Sequence, residues 1–155
     1  MPAAFDFKKL RRLITIHTVI QIALVVLLLY IAMLFQGALH AEGRGFRFMH
    51  SIISSLVIQM ILFYPLNKFA TREAKLAVDG AAIGLTPEEM KSQRNKRLVG
   101  DVIKSGIFCF YVIFAWRAPS DRFFLSIIFF TFILTYLSYF QCFNFAAKRE
   151  MKEKT

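Results

Sequence analysis

Acidic residues are scarce in this chain, with ten Asp and Glu against twenty Lys and Arg, so that 155 residues carry a formal charge of +10. Two cysteines are too few for a disulfide scaffold, and seven glycines with four prolines exclude collagen-like and linker-type sequence. A phosphate loop is missing, because Gly80 and Gly84 have neither the GxxxxGK[ST] spacing nor a preceding strand. HExxH, GxSxG and carboxylates paired within reach of each other are also absent, so no enzymatic signature stands out. Haem ligation wants two histidines at one depth on facing helices, whereas His17, His40 and His50 fall at three different levels. No cofactor and no metal is expected.

What the chain has in excess is apolar surface. Hydrophobic residues make up 57% of it, against about 45–50% in average soluble domains, a surplus that so short a chain folding in water could not hide. That excludes disorder and points to the bilayer as solvent. The charge-free run Leu13 to Gln36 exceeds the roughly 20 residues needed to cross about 30 Å of hydrocarbon. Further runs lie between Arg47 and Lys68 and between Arg122 and Lys148. A weaker one ends at Trp116, and it spans only if it starts near Leu98 and accepts Asp101 and Lys104 inside the helix. The expected fold is an all-α integral membrane bundle of four transmembrane helices, a single domain over 1–155, with spans near 13–36, 48–69, 98–117 and 123–147. The first run follows Lys8-Lys9-Leu10-Arg11-Arg12 but is too long for a signal peptide and lacks a small-x-small cleavage pattern, so it reads as a retained signal anchor.

Fifteen Lys and Arg precede the first span, lie between the second and third, or follow the fourth, and only four sit in the other two connections. The positive-inside rule then puts both termini and the middle loop in the cytoplasm, in a bacterial inner membrane. The +10 charge is orientation and attraction to anionic lipid, and nucleic acid is not expected as a partner. Within the linker 71–97, Thr86-Pro87-Glu88-Glu89 is a helix start, with Thr86 as N-cap and Pro87 at the first helical position, which predicts a short cytoplasmic or interfacial helix.

The chain also resembles itself. Arg47-Phe48-Met49-His50-Ser51-Ile52-Ile53 reappears as Arg122-Phe123-Phe124-Leu125-Ser126-Ile127-Ile128, identical at five of seven positions. Phe69-Ala70-Thr71-Arg72-Glu73-Ala74-Lys75 parallels Ala146-Ala147-Lys148-Arg149-Glu150-Met151-Lys152, and Asn67 and Asn144 share an offset. These matches predict two tandem helical hairpins, 10–70 and 98–148, as a parallel repeat.

Any chemistry must come from polar side chains inside the spans. His17 and Gln21; Ser51, Ser55 and Gln59; Asp101, Ser105 and Cys109; and Thr131, Thr135, Ser138 and Cys142 each repeat at threes and fours, one polar seam per helix. Four seams facing one another is the expected arrangement. At about 1.5 Å per residue, Gln21 and Gln59 lie roughly 12 Å and Lys104 and Gln141 roughly 9 Å above the inner ends of their spans, so the polar groups converge on the cytoplasmic half. The candidate cluster is therefore His17, Gln21, Gln59, Asp101, Lys104 and Gln141. Asp101 and Lys104, three apart, read either as a functional intramembrane pair or as a boundary pair snorkelling to headgroups. Cys109 and Cys142 differ by roughly 9 Å in depth, too far for a disulfide. Eleven of the eighteen Phe lie after residue 100 and read as lipid-facing and packing surface, with Trp116 as an interface anchor.

Three function classes follow: a non-catalytic accessory or assembly subunit of a membrane complex, a small transporter or channel with a cytoplasm-facing polar site, and, last, an enzyme acting on lipid. The expected partners are the bilayer, with anionic lipid at the basic face, and a homo-oligomer or a larger membrane partner.

Overall fold

The computed structural model describes residues 4–155 and is all-helical: α1 (Lys8–Ala41), α2 (Gly45–Asp79), α3 (Pro87–Arg117) and α4 (Arg122–Glu153). All four are long and apolar enough to cross a membrane. The helices do not stop where charge begins. α2 runs on past Lys68 to Asp79, because Ala, Glu, Arg and Lys are good helix formers, and its 35 residues extend for about 52 Å. The helix starting at Thr86 is not a separate short element, since it continues without a break to Arg117 as α3. Its capping box is complete: the Thr86 backbone N–H donates to Glu89 Oε2 at 2.9 Å, and the Glu89 N–H donates to Thr86 Oγ1 at 3.3 Å. The Thr86 backbone N–H, with its hydroxyl second, holds the Glu89 carboxyl below its ordinary range.

Burial is concentrated on three helices. α2 and α4 share the largest interface, and they meet through small residues with almost no exposed surface: Ser51, Ser55, Ala70 and Ala74 on α2, and Ser126, Ala146 and Ala147 on α4. Small side chains let helices approach closely, so that dispersion contacts form along the whole seam. Ser51 and Ser126 each donate to the carbonyl three residues back, Phe48 at 2.8 Å and Phe123 at 2.7 Å, which satisfies their hydroxyls inside the helix. α1 lies in the α2–α4 groove, chiefly against α4, and contributes Leu10 and Ile14 to a core with Val78, Tyr139 and Phe143.

α3 stands outside this trio. It touches α2 and α4 but, among the described residues, does not reach α1, and Gly100 is its one buried position. Its inner face is the row Gly100, Lys104, Ile107, Tyr111 and Ala115, while Asp101, Ser105 and Cys109 are exposed. The expectation that all four polar seams face inward therefore fails for α3. The seam lies one residue round the helix from the row that meets α2 and α4, where Gly100 sits over Glu73 and Lys104 pairs with it. The other three seams lie against neighbouring helices, with His17, Ser51, Ser55, Gln59, Thr131 and Thr135 buried.

The two ends of the bundle differ in chemistry. At one end the segment before α1 pairs with the α2–α3 turn, the Asp6 N–H donating to Ala81 O at 2.9 Å and the Ile83 N–H to Ala4 O at 2.7 Å. Lys154, at the end of α4, reaches Asp79 at 3.4 Å and lies over the Phe5 ring, so both ends of the chain and this turn come together. At the opposite end the two short turns are clamped by ions, with Arg44 on Asp121 at 3.3 Å and Arg122 on Glu42 at 3.3 Å. Gly43, at φ 70°, ends α1 in the left-handed region and lets the chain reverse within three residues. Asp121 caps α4 by accepting from the Phe123 N–H at 3.0 Å, and that bond, followed by Arg44, lowers its carboxyl pKa.

Candidate functional site

The six candidate residues fall into three groups. The first is an amide cluster between α1 and α4. The four-residue spacing of His17 and Gln21 puts both on one face of α1, with Thr18 beside them, and all three meet Asn144 on α4. Asn144 Nδ2 donates to Gln21 Oε1 at 3.2 Å and to Thr18 Oγ1 at 3.5 Å. Its Oδ1 is thereby left to accept from His17 Nδ1 at 3.3 Å, which fixes the proton on that ring nitrogen. The imidazole sits between Phe140 and Phe143, with ring centroids 4.8 and 4.9 Å away. Gln21 Nε2 then donates to Gln141 Oε1 at 2.8 Å, extending the chain of bonds to a third amide.

Gln59 forms the second group, with α4. Its Nε2 donates to Ser138 Oγ at 2.9 Å, and its Oε1 lies 3.3 Å from Thr135 Oγ1. Thr135 also points at the Thr131 carbonyl at 2.7 Å and sits 3.2 Å from the Tyr111 hydroxyl, so this group links α2, α4 and α3.

The third group is ionic and lies where α3 meets the trio. Lys104 Nζ is 2.9 Å from Asp101 and 3.5 Å from Glu73 on α2, and it lies over the Tyr139 ring at 5.6 Å. The expected Asp101–Lys104 pair is thus present, but Glu73 is its buried member, 9% exposed, while the Asp101 carboxylate is two-thirds in the open. Gly100 makes room for it, since a Cβ there would lie 2.5 Å from the Glu73 Cδ and 2.6 Å from Oε2. The Tyr136 hydroxyl donates to the Lys104 backbone carbonyl at 3.3 Å.

Sequence reasoning missed Asn144 as a hub and Glu73 as a buried acid. The signal for both was in the internal matches, which align Asn67 with Asn144 and Glu73 with Glu150. Glu150 is also 9% exposed and lies 3.8 Å from Lys75. Asn67, by contrast, is exposed and lines a cleft of about 800 Å³ between α1, α2 and α4, where Thr18, Gln21, Ser138 and Gln141 supply polar groups and Ile22, Val25 and Phe63 apolar ones. Cys109 and Cys142 are free thiols. Among the described residues no three His, Cys, Asp or Glu side chains converge closely enough to hold a metal ion. The amide clusters can therefore fasten helices together and offer hydrogen bonds at the cleft, and the ionic group can fasten α3. In comparisons with known proteins, no family model, no curated protein and no solved structure matches this chain.

Proposed function

We propose that this chain is an integral protein of a bacterial inner membrane, with both termini and the α2–α3 turn in the cytoplasm, and that it serves as a non-catalytic accessory or assembly subunit of a membrane complex. The membrane reading is supported by the exposed apolar surface: the most apolar eighteen-residue stretch of α1 buries none of its residues, and that of α3 buries 6%. Soluble monomers do not leave such patches in water. Orientation is supported by the basic end where the chain termini meet. A duplicated hairpin accounts for the equivalent settings of Ser51 and Ser126, of Ala70 and Ala147, and of Glu73 and Glu150.

The observation that carries the accessory reading is the position of α3. Three helices form the packed unit, and the fourth meets it along one narrow row: Gly100 over Glu73, Lys104 against Glu73 and Tyr139, the Tyr111 and Tyr136 hydroxyls, the Arg97 bond to the Leu76 carbonyl, and the Phe108 and Tyr111 rings on Phe132. Its outer face and the flanks of α2 and α4 are left for helices of another chain. Gentle detergent extraction is expected to recover a stoichiometric larger partner, and a clean homo-oligomer alone would overturn the reading. A C-terminal reporter facing outside would overturn the orientation.

One observation favours the second reading, a small transporter: Lys104, Asp101 and Glu73 put three charges together at the inner end of the bundle. In that case Asp101→Asn or Lys104→Met abolishes solute or proton flux in reconstituted vesicles while expression persists.

A further inference from the structure

The groove between α1 and α4 is graded in chemistry along its length. At the end where the termini meet, Arg11 and Lys148 line a hollow of about 450 Å³ with Thr15 and Thr18. Thr18 also lines the 800 Å³ cleft above it, so the two are continuous along one face of α1. Gln141 and Asn67 come next, and beyond them the walls are Ile22, Val25, Val26 and Phe63. Cation, amide and hydrocarbon thus follow one another from the basic end inward.

Several of these groups lack partners. Arg11 and Lys148 form no ion pair among the described residues, although Arg149, one residue along, is paired to Glu150 and Glu153. Gln141 accepts from Gln21, but its own Nε2 donates to no described residue, and the Asn67 amide is bonded to none. Amide N–H groups facing an apolar cleft want an acceptor there. The length agrees with this need. Arg11 to Val26 spans about 22 Å of helix, and one leaflet with its headgroup layer measures about 20–22 Å.

We propose that this groove binds one anionic phospholipid of the cytoplasmic leaflet, with its phosphate at Arg11 and Lys148, its ester carbonyls accepting from Gln141 and Asn67, and an acyl chain along Ile22, Val25 and Phe63. The proposal rests on the membrane reading above and adds to it a defined site on one flank, distinct from diffuse attraction to the basic face. Such a lipid would complete the α1–α4 seam and cover the polar floor of the cleft.

The test uses the full chain in vesicles, with Phe145→Trp at the mouth of the cleft as reporter and Trp116→Phe removing the native indole. Quenching by brominated phosphatidylglycerol is compared with quenching by brominated phosphatidylcholine. Each cation contributes about fivefold, so the anionic lipid is preferred by about twenty-five-fold. Arg11→Gln with Lys148→Gln removes that preference, whereas Lys91→Gln with Arg94→Gln, the same charge change on α3, leaves it intact. Gln141→Leu with Asn67→Leu weakens both lipids to a similar extent. Equal losses in the two charge pairs would overturn the site in favour of surface potential, and displacement by inorganic phosphate would overturn the lipid assignment. A protein that inserts yet shows no preference refutes the site alone, and one that fails to float with vesicles of any composition refutes the membrane reading as well.

Discussion

Gly100→Ala tests whether α3 is seated on Glu73. In an otherwise exposed helix the change from Gly to Ala is favourable by about 0.5–1 kcal/mol through backbone entropy. At this position, however, the new methyl would lie 2.5 Å from the Glu73 Cδ, where ordinary contact needs 3.4–4 Å, so something must give by about 1 Å. Glu73 can swing aside only by leaving Lys104, 3.5 Å away, from a site where it is 9% exposed. The alternative is a shift of α3 off α2, an overpacking cost of about 1–3 kcal/mol. The net effect in the native background is a loss of about 1 kcal/mol, with bounds from roughly nil to about 2.5. In a Glu73→Ala background the obstruction is gone and the same substitution becomes stabilising by about 0.5–1 kcal/mol. Unfolding in mixed micelles, followed by helix ellipticity across all four single and double variants, reads both numbers. The inversion of sign is the diagnostic. Stabilisation by Gly100→Ala in both backgrounds would refute the placement of α3, because a solvated or lipid-facing glycine gives that result.

Asn144→Leu removes the hub that ties His17, Thr18 and Gln21 to α4. At about 0.6 kcal/mol for each interhelical bond it destabilises by about 2 kcal/mol in the same unfolding assay, whereas Asn67→Leu at the exposed matching position changes stability by less than about 0.5 kcal/mol. The Asp121 cap has a pH signature. Its carboxyl is held below the ordinary value in the folded chain, so its support for the start of α4 is complete above about pH 4 and disappears as acidity passes through the lowered value. Asp121→Ala therefore speeds amide exchange at Phe123 to Leu125 relative to the native chain near pH 6, and the ratio falls to one in strong acid.

Three of the four helices were legible because charge-free runs of spanning length have few alternatives, and α3 was legible only by admitting Asp101 and Lys104 inside it; the Gln21–Gln141 contact joins two amides read at similar depths. Helix ends were less legible. A charge such as Lys68 marks the edge of an apolar run but carries no instruction to stop the helix, so α2 and α3 run past the edges read from composition. That same boundary hid Glu73, which lies five residues beyond Lys68 in what reads as a solvated linker but is covered by α3. The facing of α3 was not legible either. Its seam of Asp101, Ser105 and Cys109 and its true inner row of Gly100, Lys104, Ile107 and Tyr111 differ by one residue of rotation, and only tertiary contact chooses between them.

The short antiparallel bridge between Phe5 and Ala82 ties the two ends of the first hairpin together. Its two partners flank the whole of α1 and α2 in sequence, so their pairing closes the first hairpin into a ring. Loss of this pairing would free the segment before α1 from the α2–α3 turn while leaving α1 packed against α2 and α4. The pairing therefore couples the α2–α3 turn to the segment before α1, because neither can move away without breaking its bonds to the other.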